Sequence, residues 1–216
     1  MTAAPTLYHA AMPGVIALQG GGPFVANDDL DRRLLDGIGR VVMLPTADAF
    51  EQPADLVETA RAWGERVGVD IDPLMVITRP DANDDAAAVI DGASAVFLAG
   101  DSAIHLRSAI KNTPVYAAIE RLLDRGGTLI ATGPSASALC DPMTDRRGGA
   151  FTIGLGLISG VALMTEIDGW SPGQLTRARE LANTPLVELP TGSAIVRRDG
   201  AWETVGDAVV HGDLPA

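Results

Sequence analysis

Along the first two thirds of the chain, short apolar runs alternate with stretches whose apolar residues recur at helical spacing. Residues 14–20 (GVIALQG) predict a buried strand that ends in glycines, and residues 29–38, with leucines at 30, 34 and 35, predict a helix. The same reading gives strands at 40–45, 73–78, 95–99 and 128–132. It gives helices at 53–67, 84–90 and 102–110, and another that closes at 119–124. Apolar strands this short, separated by helices, predict a parallel sheet covered on both faces. Right-handed crossovers then align the strand C-terminal ends along one edge, where sites usually form.

After about residue 150 the pattern changes. FTIGLGLISGVALM, residues 151–164, is apolar but glycine-interrupted and predicts a buried pair of strands. It is too short to span a bilayer, which needs ~20 residues. Residues 186–189, 193–196 and 202–210 predict short strands separated by Pro-Thr-Gly and Arg-Asp-Gly turns, an antiparallel extension to the same domain. The whole reading is α/β: one doubly wound, mainly parallel domain over residues 1–216, with flexible tails at 1–12 and 212–216.

Composition narrows the partners. At 216 residues and 47% hydrophobic content the chain has ample material for one core. Sixteen Lys and Arg against 28 Asp and Glu leave a net charge of −12, which repels phosphate backbones and anionic lipid. A small molecule or peptide is therefore the expected partner, with neither nucleic acid nor membrane. A single cysteine, Cys140, excludes an internal disulfide and fits a reducing compartment; with no targeting segment in view, the expected location is the cytoplasm. The three histidines, His9, His105 and His211, are scattered, so no metal site is expected, and nothing calls for a cofactor.

Three strand ends carry candidate chemistry. In LIATGPSASAL, residues 129–139, a strand runs through Gly133-Pro134-Ser135-Ala136-Ser137 into helix-forming residues. This is a variant of the nucleophile elbow G-x-S-x-G, in which small residues flank a strained turn and Ser137 replaces the second glycine. The competing reading of Ser135 is an ordinary helix N-cap. In VFLAGDS, residues 96–102, Gly100 is placed to offer its N–H to an oxyanion and Asp101 to cap the next helix. Gln19-Gly20-Gly21-Gly22-Pro23 permits close backbone approach to a ligand, or is a tight turn; it is neither a dinucleotide nor a Walker motif. A serine nucleophile needs a base, and His105, one turn into the helix after Gly100, is the histidine placed nearest the expected pocket.

Taken together, these motifs resemble the dipeptidase E and cyanophycinase family of serine peptidases, on the class I glutamine amidotransferase-like fold. The resemblance runs through VIALQGGGPF, LPTADAFEQP, FLAGDSAIHLRSAI, ATGPSASALCDPM, RGGAFTIGLGLISGV, WSPGQLTRARELA and SAIVRRDGAW. It looks closest to actinobacterial-type proteins described as amidotransferase-like. The resemblance implies Ser135 as nucleophile, the Gly100 and Ala136 N–H groups as oxyanion donors, and Asp141 or Asp145 as the acidic third member. The family's base histidine falls on Glu166, or on Ile167 if the register shifts by one. An ordinary carboxylate, with a pKa of ~4.3, is a poor base for a serine hydroxyl near pH 7. The expectation is therefore a divergent, weak or inactive protein that binds a small ligand, through Gly20, Gly21, Asp101 and His105 beside Ser135. The alternative is an active hydrolase of small aspartyl-type peptides with an unconventional base. A glutamine amidotransferase would need Cys at position 135, and Cys140 lies inside the following helix. Family members often dimerise.

Overall fold

The computed structural model describes residues 13–146 and 150–215. The apolar runs become strands β1 (Val15–Gln19), β2 (Arg40–Leu44), β3 (Asp70–Pro73), β4 (Ala95–Leu98) and β5 (Thr128–Thr132). The amphipathic stretches become α1 (Asp28–Leu34), α2 (Pro53–Val67), α3 (Asp84–Asp91), α4 (Ala103–Ile110), α5 (Pro114–Asp124) and α6 (Pro134–Leu139). Four short strands follow: β6 (Cys140–Asp141), β7 (Met143–Asp145), β8 (Ala150–Thr152) and β9 (Ile158–Ser159). The chain closes with β10 (Ala162–Thr165), α7 (Pro172–Leu181), β11 (Leu186–Leu189), β12 (Ala194–Arg198), β13 (Ala201–Val205) and β14 (Val209–His211).

Among the described residues the main sheet has seven strands in the order β13-β12-β1-β5-β4-β2-β3. The five from β1 to β3 in that order pair in parallel, while β12 and β13 add on antiparallel beside β1. Every residue of β4 and β5 is buried, as strands covered on both faces require. One face packs α1 and α2 through Trp63, Phe24 and Phe97, whose rings lie 4.7–5.2 Å apart. The other face carries α3 to α6. The local causes are plain in α2, where Pro53 starts the helix, Val57, Ala60 and Trp63 form its buried stripe, and Gly68 ends it at φ 88°.

Three predicted elements are corrected. The third strand lies at Asp70–Pro73 and not at 73–78, because an edge strand pairs on one side only and tolerates exposed acidic residues. The predicted strand 202–210 breaks into β13 and β14 at Gly206, whose φ of 65° ends the ladder against Ser193. β14 leaves the main sheet and joins β10 and β11 in a three-stranded sheet. Residues 212–215, read as a tail, are tied back, since the Trp202 indole donates to the Pro215 carbonyl at 2.7 Å. The N-terminal tail lies outside the described residues, as does His9.

Candidate functional site

β1, β4 and β5 end side by side, and the loops that leave them form the site. Gly133 takes φ 57° and ψ −136°, a conformation open in practice only to glycine, and turns the chain from β5 into α6. The turn is pinned from β1, because Gly133 N donates to Gln19 O at 3.0 Å. The next carbonyl along, Gly20 O, accepts from Glu166 N at 2.6 Å. One short stretch of backbone therefore fixes both the elbow and Glu166.

Glu166 follows β10 by one residue, with its backbone in the left-handed region at φ 52°, ψ 40°. Its side chain folds back over the glycines. A Cβ on Gly21 would lie 2.6 Å from Glu166 Cγ, and one on Gly133 would lie 3.4 Å from Glu166 Oε1. Gly20 and Gly21 thus make room for neighbouring chain, and neither lines the cavity described below. Burial pushes the Glu166 carboxyl above its ordinary range; the Arg146 guanidinium beside it pulls the other way, and Asp101 and Asp168 add to the rise.

Ser135 is fully buried in the first turn of α6. Its hydroxyl donates to Gly100 O at 3.1 Å. The elbow expectation is corrected here: the strained residue is Gly133, while Ser135 lies inside the helix. The oxyanion expectation is corrected for Ala136, whose N–H donates to Gly133 O at 3.0 Å and is occupied within the turn. Gly100 is demanded by packing, with φ 117° and a Cβ position only 2.5 Å from Asp48 N. Its N–H has no partner among the described residues.

His105 does not reach Ser135. Its Nε2 meets Ile77 O at 2.7 Å and its ring packs edge-on against Phe50. The expected Asp101 cap is replaced by Ser102, whose Oγ accepts from His105 N at 3.3 Å. Of the two acidic candidates, Asp145 lines the cavity, while Asp141 Oδ1 accepts from Gly154 N.

A cavity of about 320 Å³ opens beside Pro134 and Ser137. Its apolar wall includes Ile104, Leu163 and Trp170, and its polar wall includes Asp101, Asp145 and Arg146. Ser137, the residue that replaces the second glycine, is buried there and its Oγ accepts from Thr144 N at 3.2 Å. Sequence reasoning missed Arg146, Trp170 and Gln174. Arg146 is paired with Glu166, and its carbonyl accepts from Gln174 Nε2 at 3.2 Å. A signal for α7 existed: Ser171-Pro172-Gly173-Gln174 is a capping box, with Gln174 side chain and Ser171 backbone bonded reciprocally.

No protein-family model matches the chain, and neither does any curated protein. A solved peptidase from an acI-B1 Actinobacterium superposes with a TM-score of 0.81 at 25% identity, covering 93% of this chain and 91% of that one. A protein described provisionally as peptidase E, from Listeria monocytogenes EGD-e, superposes with a TM-score of 0.67 at 12% identity, covering 92% and 98%. The chain has a peptidase E-like fold.

Proposed function

We propose that this peptidase-like protein binds a short peptide or peptide-like molecule in the cavity beside Pro134 and Ser137, and that it hydrolyses such molecules weakly or not at all. The supporting observation is the state of Ser135: its hydroxyl donates to Gly100 O, and among the described residues no imidazole is bonded to it. The described histidines, His105 and His211, are bonded to Ile77 O and Glu188 respectively. The carboxylate nearest the elbow, Glu166, is paired with Arg146, and that pairing weakens it as a base. General-base assistance is worth ~10²–10⁴ in rate, so a serine without it should leave peptide hydrolysis near background.

One observation favours the active alternative. Burial of Glu166 raises its basicity above that of an ordinary carboxylate, and its Oε1 is packed against the elbow. Aspartyl dipeptide hydrolysis, followed by release of the free amino acids, separates the two readings. The proposal expects rates indistinguishable between the unaltered protein and Ser135→Ala. Robust turnover that vanishes in Ser135→Ala, and rises with pH as Glu166 ionises, overturns it in favour of a Ser135–Glu166 hydrolase.

A further inference from the structure

Arg146 is the one cationic side chain on the cavity wall among the described residues, and it is half exposed. Its backbone is anchored through the Gln174 bond, so the guanidinium can swing while the main chain stays put. Its partner is Glu166, an internal carboxylate less than one quarter exposed. An arginine fork that faces a cavity and is capped by one of the protein's own carboxylates is built to accept a carboxylate.

The surroundings of Glu166 make that pairing easy to exchange. The glycine faces it packs on, Gly21 and Gly133, present no charge or donor side chain. From the loop before α4 it faces Asp101, which is itself opposed by Asp48; from the 167–169 turn it faces Asp168; along the cavity wall lies Asp145. Asp168 is already committed to the Thr191 N–H at 2.9 Å. Among the described residues Arg146 is therefore the cation that stabilises ionised Glu166, against burial and the like charges of Asp101 and Asp168. A carboxylate left there without Arg146 is a poorly solvated anion among anions, and protonation relieves it.

We propose that the cavity takes a carboxylate-bearing ligand on Arg146 in exchange for Glu166, and that Glu166 picks up a proton as the ligand binds. The proton comes from solvent and rests on the Glu166 carboxyl; Arg146 keeps its charge, and no covalent bond is made or broken. The Arg146–Glu166 pair is thus an internal stand-in for the ligand, and affinity falls as pH rises. The ammonium group of a zwitterionic peptide is then matched by Asp101, and its apolar side chain by Ile104, Leu163 and Trp170. The inference rests on reading the cavity as the ligand site.

The test is titration calorimetry with glycyl-L-leucine and, separately, with glycyl-L-leucinamide, which lacks the carboxylate. Runs at pH 6 to 8 use two buffers of different ionisation enthalpy, and Trp170 fluorescence reports cavity occupancy. Glycyl-L-leucine should bind with a buffer-dependent heat that signals proton uptake, while the amide binds about tenfold more weakly, the loss of one charge-assisted contact. In Glu166→Gln the buffer dependence should disappear and affinity at pH 8 should rise. In Arg146→Gln affinity should fall about tenfold, with Arg146→Lys between the two. Binding without buffer dependence, or equal binding of the amide, overturns the exchange. If Trp170 still responds in that case, the cavity reading survives; if neither compound perturbs Trp170, both fail.

Discussion

Asp31 offers a quantitative check on the structure away from the site. It is 1% exposed and lies in α1 against the main sheet. Gln19 Nε2 donates to its Oδ1 at 2.6 Å, and the Trp63 indole donates to its Oδ2 at 3.2 Å. Burial dominates these bonds and pushes its pKa from 3.8 up to about 7. Below pH 3.8 both folded and unfolded chains hold the proton, and the site costs nothing. Between 3.8 and about 7 the unfolded chain releases it first, so stability falls as pH rises; above 7 the full penalty persists. At ~1.4 kcal/mol per pH unit, a gap of roughly three units gives a ceiling of about 4 kcal/mol. Asp31→Asn removes the ionisation. Its Oδ1 keeps the indole bond, and a turned Gln19 amide accepts from its Nδ2. Urea unfolding followed by circular dichroism, run from pH 4 to pH 8.5, should show the variant near neutral at pH 4. It should then become progressively more stable than the parent, by ~2–4 kcal/mol at pH 8. A stability difference that does not change with pH refutes the reasoning.

Gly100→Ala should destabilise by at least ~2 kcal/mol in the same assay, since its φ and the nearby Asp48 backbone both exclude a Cβ. Arg179→Ala should lose ~2 kcal/mol at pH 7, because it strips two hydrogen bonds from the buried Glu188 carboxylate. Arg179 and then His211 hold that carboxyl below its ordinary 4.5, so the stability it adds is present at neutral pH and lost on acidification; the variant should show a shallower loss in acid. With a net charge of −12, the protein should leave duplex DNA unshifted in gel electrophoresis at physiological salt.

The central strands were legible because a parallel strand covered on both faces must be apolar throughout, and AVFL and TLIAT leave little choice. Edge β3 was misplaced because its DIDP sequence carries no such constraint, while the more apolar run beside it leaves the sheet. Helix α7 was missed because most of its residues are exposed and only Ala178 is buried, leaving the capping box as its sole mark. At the site, the glycine at 133 announced the turn, but which residue would bear the strain depended on where α6 starts. The Glu166–Arg146 pair joins loops twenty residues apart, and no local periodicity encodes it. The glycines at 20 and 21 looked like a ligand cradle, whereas the groups that fill their space belong to Pro190 and Glu166.

The central claim is that Ser135 is held as a structural hydroxyl and not as an activated nucleophile. Incubation with a fluorophosphonate, followed by intact-mass spectrometry and peptide mapping, tests it directly. The account predicts no adduct on Ser135 under conditions that label a competent serine hydrolase fully. A stoichiometric adduct on Ser135, absent from Ser135→Ala, would contradict it.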